Sequence, residues 1–352
     1  MEKSNRDFLL ELLRTPSPSS QEVEIQKKWI SYVKDFADDI ITDHAGNAIG
    51  VLNPDAEFKV LLAGHCDEIA LVVNRIDEEG YLHFDKMGGI NPKAAVGMKT
   101  TVLGYNKEIS GVIGVNAQHH GGLKDKFDLE DLFIDCGFKS KEEAEQYVQI
   151  GDLVVYKVEP EILMDRYLSG RGLDNRTGSF IVAEVLRRLK DRGCSVGIYA
   201  ASTVNEETNM GGAYFAAAGI NPTMAIACDV TFATDYPGVN KNKHGDIRLE
   251  NGPVLAKGAP INRKINIMLE KAAKKLNMNV QFELTPRMTG TDADKMRLTG
   301  KGVPVSLVSL PLRYMHSPVE TVSFHDIDEE IELLVSMLAD LTGKESLNPL
   351  EE

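Results

Sequence analysis

Short apolar runs that end on acids or histidines constrain this chain more than any other feature. Residues 60–64, 198–204, 224–230 and 303–310 read as buried strands. Helical apolar spacing recurs over residues 8–13, 23–36, 175–190, 211–218 and 326–341. Strands that alternate with helices in this way predict an α/β fold, a sheet packed by helices.

Residues 69–161 break the alternation. Short β-rich segments fill them, at 71–73, 101–103, 111–115 and 152–156, with one charged helical stretch around 139–147. The same α/β character lies on both sides, so the expected layout is an α/β domain of residues 1–68 and 162–352 with a small β-rich domain, 69–161, inserted into it. A length of 352 residues suits two such units.

Charge and composition exclude several functions. With 39 Lys+Arg against 53 Asp+Glu the net charge is −14, which repels a phosphate backbone, so no nucleic-acid partner is expected. No run approaches the roughly 18 to 20 apolar residues of a membrane span. The charged start, Glu2-Lys3-Ser4-Asn5-Arg6-Asp7, lacks the apolar core of a secretory signal, and the chain is expected to be cytoplasmic. Cys66, Cys136, Cys194 and Cys228 form no Cys-x-x-Cys pair and read as free thiols, not as a zinc knuckle or disulfide framework.

The chemistry sits where the strands end. His65 and Asp67 follow the run at 60–64, and Asp67 is spaced to accept a hydrogen bond from one imidazole nitrogen while the other binds a metal. In Gly170-Arg171-Gly172-Leu173-Asp174-Asn175-Arg176, Asp174 precedes a long helix, either as its N-cap or as a carboxylate presented from a tight loop. Glu206 and Glu207 follow the run at 198–204, and adjacent acids repel unless a cation or proton intervenes. Asp229 lies near the end of a buried-type strand, where an uncompensated carboxylate is costly. His316 lies just beyond the run at 303–310.

Two histidines and five carboxylates suit two metal ions. If Asp174 bridges, one ion takes His65, Asp174 and Asp229, the other takes Asp174, Glu207 and His316, and a shared water fits between them. Glu206 is then the general base and later the proton donor to the leaving amine.

These motifs, His-x-Asp-Glu, Gly-Arg-Gly-Leu-Asp-Asn-Arg, Glu-Glu followed by Gly-Gly-Ala, Cys-Asp-Val and Met-His-Ser-Pro-x-Glu, resemble metallopeptidase family 42 over nearly the whole chain. These are the tetrahedral-type cytosolic aminopeptidases, with glutamyl-aminopeptidase and so-called endoglucanase relatives. The resemblance implies a central mixed sheet flanked by helices, zinc-exopeptidase-like, with a PDZ-like dimerisation domain in the β-rich insertion. It implies His65, Asp174, Glu207, Asp229 and His316 as metal ligands, Glu206 as base and Asp67 as the residue that orients His65. It further implies two divalent ions per subunit (zinc or cobalt, with manganese as the other choice), short peptide substrates cleaved at the N-terminus through a metal-bridging water, and a homo-oligomer, a dimer or a dodecamer.

The chain departs from the family at Thr208-Asn209-Met210-Gly211-Gly212-Ala213, where many members carry an arginine. Asp292, in Thr289-Gly290-Thr291-Asp292-Ala293-Asp294, reads either as a helix cap or as a substrate contact. His119 and His120 have no carboxylate at useful spacing and read as a surface loop, while Cys66 and Cys228 read as packing. A carboxypeptidase or N-acyl-amino-acid deacylase on a related fold shares the same ligand logic and is the nearest alternative. A polysaccharide hydrolase leaves the histidines without a role, and a non-catalytic assembly protein leaves the complete set of acids and histidines unexplained.

Overall fold

The computed structural model describes residues 3–351. The first two helices, Lys3–Arg14 and Val23–Val33, bury Leu9, Leu12, Leu13, Ile25, Trp29 and Val33, the apolar stripe that their helical spacing predicts. Three strands follow: β1 (Asp39–Thr42), β2 (Ala48–Leu52) and β3 (Lys59–His65).

The next six, β4 (Ala70–Ile76), β5 (Leu82–Met87), β6 (Lys99–Leu103), β7 (Glu108–Gly114), β8 (Phe133–Asp135) and β9 (Leu153–Tyr156), close into a barrel in the order β4-β5-β8-β7-β6-β9. Every neighbouring pair is antiparallel, and Leu71, Val73, Phe84, Val102, Ile113, Ile134 and Val154 fill the interior. Closure leaves no strand edge open. The helix expected around 139–147 shortens to Lys141–Ala144, after which the chain turns and buries Val148 in the same core.

The chain then supplies β10 (Glu161–Leu163), β11 (Tyr167–Gly170), β12 (Gly197–Thr203), β13 (Met224–Phe232), β14 (Val254–Gly258), β15 (Gln281–Thr285), β16 (Val305–Leu312) and β17 (Glu320–Ser323). The main sheet has eight strands in the order β1-β2-β12-β3-β13-β16-β14-β15. It is mixed: β12, β3, β13 and β16 run parallel, while β1, β2 and β14 each have antiparallel neighbours. Parallel central strands are covered on both faces, which is why their sequences read as unbroken apolar runs. Along β3 the period of two is plain: Val60 and Leu62 join a core with the Leu173–Arg192 and Phe324–Ala339 helices, while Leu61 and Ala63 join one with the Gly211–Ile220 helix.

Between β13 and β16 the chain adds β14, β15 and the Arg263–Leu276 helix. That helix turns Ile265, Leu269, Ala272 and Ala273 inward at a 3.6-residue period that the sequence reading leaves unassigned. β15 is an edge strand that alternates buried and exposed residues, so it lacks the unbroken apolar run that marks its neighbours. A second small sheet, β10-β11-β17, ends at Glu320 beside the parallel strand ends.

Candidate metal centre

Because β3, β12, β13 and β16 are parallel, their C-terminal ends lie along one edge of the sheet, where α/β proteins build their sites. His65 closes β3 and is almost fully buried. Its Nδ1 lies 3.3 Å from Asp67 Oδ1 and 3.2 Å from the Asp67 carbonyl oxygen, which leaves Nε2 facing the other acids. Asp67 is buried and heavily used: Ser19 Oγ donates to Oδ2 at 2.6 Å, Glu206 N donates to Oδ1 at 3.0 Å, and Glu207 N to Oδ2 at 3.2 Å. One carboxylate therefore ties His65 to the backbone of both glutamates.

Asp174 lies in the first turn of the Leu173–Arg192 helix but with non-helical backbone angles, and its peptide bond to Asn175 is cis. The regular helix begins after the two non-helical residues and is capped by Asn175, whose side chain accepts from Gly178 N, so the N-cap alternative for Asp174 does not hold. Asn175 Nδ2 donates to the Cys228 carbonyl at 2.8 Å and its Oδ1 accepts from Gly178 N at 2.9 Å, which fixes this turn against β13 beside Asp229.

The two oxygens of Asp174 face different imidazoles. Oδ1 lies 3.3 Å from His65 Nε2, and Oδ2 lies 3.4 Å from His316 Nε2. His316 Nε2 is also 3.6 Å from Glu207 Oε2, and His65 Nε2 is 3.7 Å from Glu206 Oε2. Ligand-type atoms of His65, Glu206 and Asp229, and of His65, Asp174 and Glu207, gather within 4.8 Å of one another. The two groupings divide the carboxylates differently from the expected pair of ligand sets, and His316 completes neither. The histidine distances are the stronger guide, since they put Asp174 between two imidazoles.

The electrostatics are those of crowded acids. Burial, with neighbouring acids, pushes the Glu206, Glu207 and Asp229 carboxyls well above their ordinary range against the pull of His65. Asp174 is also buried, but its hydrogen bonds to His316 and His65 outweigh burial and hold it well below that range. Desolvation favours neutral His65, yet the charges of Glu206, Asp174 and Asp67 raise it well above its usual value. Glu207 Oε1 is buried without a hydrogen-bond partner. Imidazole nitrogen and carboxylate oxygen, in a buried cluster with an excess of negative charge and an orphaned oxygen, are the donor set that zinc-like divalent cations take. The residues fit such ions.

Two buried acids add to the expected set. Glu320, 2% exposed, accepts from Asp174 N at 3.1 Å through Oε2 and from His316 N at 2.8 Å through Oε1, and so braces two of the candidate ligands. Burial and the charge of Asp174 raise it to about 8. Its only sequence signal is its place four residues after His316. Asp292 sits at the N-cap of the Ala293–Met296 turn but does not cap it; its Oδ2 accepts instead from the Thr203 hydroxyl at the end of β12. The Thr291 hydroxyl accepts there from Ala293 N, while the Asp294 carboxylate accepts from Thr289 N and Gly290 N of the preceding loop.

His119 and His120 lie exposed in a short 3-10 turn, outside the acid clusters found among the described residues. Cys66 and Cys228 are buried in the main core. A cavity of about 690 Å³ opens over Asp174, Glu206, Glu207, Asp229 and His316.

The chain matches the model of the M42 glutamyl aminopeptidase family over residues 46–333. It is 33% identical over 346 residues to a lysyl aminopeptidase of Pyrococcus furiosus, covering 95% of this chain and 97% of the relative. Among solved structures, a TET aminopeptidase from a marine sediment archaeon (Thaumarchaeota) superposes with a TM-score of 0.90 at 27% identity, over 96% of both chains. The Pyrococcus horikoshii TET1 peptidase, which can assemble into a tetrahedron or a large octahedral shell, gives a TM-score of 0.85 at 31% identity, over 96% of this chain and all of that one.

Proposed function

The chain belongs to the M42 glutamyl aminopeptidase family and is a peptide hydrolase, and from that premise we propose that it removes N-terminal residues from short peptides at a two-ion centre. His65, Asp174, Glu207, Asp229 and His316 would hold the ions, with Asp174 placed between the two imidazoles. The observation that carries this reading is the placement of the two Asp174 oxygens, each against a different imidazole Nε2.

When bound, two divalent cations supply a water of near-neutral pKa and polarise the scissile carbonyl. The chain's own residues do the rest. Glu206, held by its backbone N–H on Asp67, takes the proton of the attacking water on its carboxylate and returns it to the departing amine. Asp67 fixes the His65 ring through Nδ1 and so directs Nε2 at the centre. The cavity walls around Thr291, Met315 and Phe232 enclose the substrate and limit water.

Zinc or cobalt suits the mixed nitrogen and oxygen donors, and manganese is the next choice. We read residues 69–161 as a PDZ-like dimerisation domain inserted into the catalytic domain formed by 1–68 and 162–352. The assembly is a homo-oligomer built from dimers, in keeping with the shells of the TET1 peptidase. No helix among the described residues is long and apolar enough to cross a membrane, and a cytoplasmic site of action fits peptide substrates.

Exhaustive chelation is expected to abolish hydrolysis of aminoacyl anilides, and zinc, cobalt or manganese to restore it. N-acetylated substrates should resist cleavage. Full activity after chelation would overturn the two-ion centre, and preferential cleavage of acetylated peptides would favour the deacylase alternative.

A further inference from the structure

The cavity over the acid cluster continues along β13 toward a wall made by Thr231, Phe232, Glu283, Leu284, Met288 and Leu307. Five of these six are apolar or hydroxyl-bearing; Glu283 is the only charge among them. It projects from edge strand β15 at a register position opposite Ala256, a side chain small enough to let the carboxylate lie across it toward β16 and β13. There Oε2 accepts from the Thr231 hydroxyl, and Oε1 accepts from the Ser309 hydroxyl at 3.0 Å.

Desolvation raises the Glu283 carboxyl above its ordinary value, the Thr231 and Ser309 hydroxyls pull it back, and no cationic side chain among the described residues offsets its charge. Lys295 lines the same cavity but does not pair with it. An ionised carboxylate offers about four lone-pair sites. Two neutral hydroxyls fill two of them and fix the group, which leaves the others for something that enters the cavity. A half-buried carboxylate held by two hydroxyls and without a counter-charge among the described residues is complementary to a cation.

The distance suits one kind of cation. Asp229, a candidate ligand, and Thr231, which anchors Glu283, are two residues apart on β13 and share a face, roughly 6.5–7 Å along the strand. That span matches the flexible four-carbon stem of a lysine whose backbone lies at the ion centre. Phe232, Leu284 and Met288 supply apolar surface for the stem while its charged end reaches the carboxylate.

Building on the aminopeptidase activity above, we propose that Glu283 is the anionic floor of the pocket that receives the released residue's side chain, and that it selects peptides with lysine or arginine at the N-terminus. The test compares kcat/KM for lysyl, norleucyl and glutamyl anilides on metal-loaded wild type, Glu283→Gln and Glu283→Leu. Norleucine carries the four-carbon stem without the ammonium group, so its turnover also reports whether each variant is folded.

Wild type should favour lysyl over norleucyl substrate. In both variants that ratio should fall about tenfold or more, as expected for loss of a charge-assisted bond, while norleucyl turnover holds. Free lysine, but not norleucine, should raise the Tm of wild type and not that of Glu283→Gln. An unchanged lysyl-to-norleucyl ratio with norleucyl cleavage intact would overturn the role of Glu283 alone, as would a wild-type preference for the glutamyl substrate, which would assign the pocket to Lys295. If none of the three anilides is cleaved, the aminopeptidase reading fails and the Glu283 role falls with it.

Discussion

Asp67 carries more structural duty than its place in a His-x-Asp motif indicates. It is fully buried, and burial alone would raise its pKa; the hydrogen bond and charge of His65, with the donors Ser19 Oγ and Glu206 N, hold it below the ordinary carboxylate range instead. An ionised Asp67 keeps His65 in one orientation and anchors the turn that presents Glu206. Glu206→Gln retains the shape and removes the proton acceptor, so kcat is expected to fall about 10²- to 10⁴-fold with metal content unchanged, read by anilide kinetics and metal analysis. A fully active variant would remove Glu206 from the mechanism. Glu320 acts through others: Glu320→Gln turns one of its two acceptors into a donor facing a backbone N–H. Metal affinity, measured by competition with a chelating dye, should drop about 10- to 100-fold. Unaltered affinity would mean that Asp174 and His316 hold their places without it.

Three elements deliver candidate ligands and meet at two glycines. A Cβ on Gly64 would overlap the Gly178 carbonyl of the Leu173–Arg192 helix, and one on Gly178 would overlap the Cys228 carbonyl of β13. His65, Asp174 and Asp229 converge because β3, this helix and β13 approach at backbone contact. Gly64→Ala pushes β3 off the helix and should cost about 1–3 kcal/mol of stability, the usual penalty of overpacking. Urea unfolding checks the stability, and a metal titration should show weaker binding in the same variant. A variant as stable and as tight as wild type would mean that the elements have slack here. The ion network behind the site has the same dependence on tight packing: Glu68, buried under β3, binds both Arg171 and Arg176, and Arg176 Nε and Nη2 also donate to Ser17 Oγ at 3.1 and 2.9 Å.

The fold as a whole stores proton-linked stability away from the metal centre. Asp326, fully buried at the start of the Phe324–Ala339 helix, is raised to about 7 by desolvation, although Glu250 N and Gly252 N donate to it at 2.8 and 3.2 Å. An unfolded aspartate titrates near about 3.9. A pKa raised on folding means that the native chain holds the proton more tightly, so this stability is fully present below about pH 4 and is lost as the pH rises through about 7. Asp326→Asn lacks the titrating group. It is expected to be less stable than wild type at pH 5, where it loses one of two acceptors, and the gap should narrow toward pH 8 in denaturant midpoints. Parallel pH curves would remove Asp326 as the source.

The alternation of buried strands with helices and the β-rich character of residues 69–161 were legible in the sequence, because apolar runs and their period of two or 3.6 are local consequences of burial; strand direction and closure of the barrel were not. The acids and histidines at the strand ends were legible for the same reason: charged groups that follow buried strands stand out against them. β15 and the bracing role of Glu320 were not, since an edge strand needs no apolar run and the last residue of Met-His-Ser-Pro-x-Glu does not show by itself that it is buried. The chain alone determined which residues are competent to bind a cation, through their donor atoms. Only the tertiary structure decided that Asp174 lies between His65 and His316, that Asp67 ties three of these residues together and that Glu283 faces the same cavity. Those relations depend on strand order and on close backbone approach at Gly64 and Gly178, and neither is encoded in the spacing of any single segment.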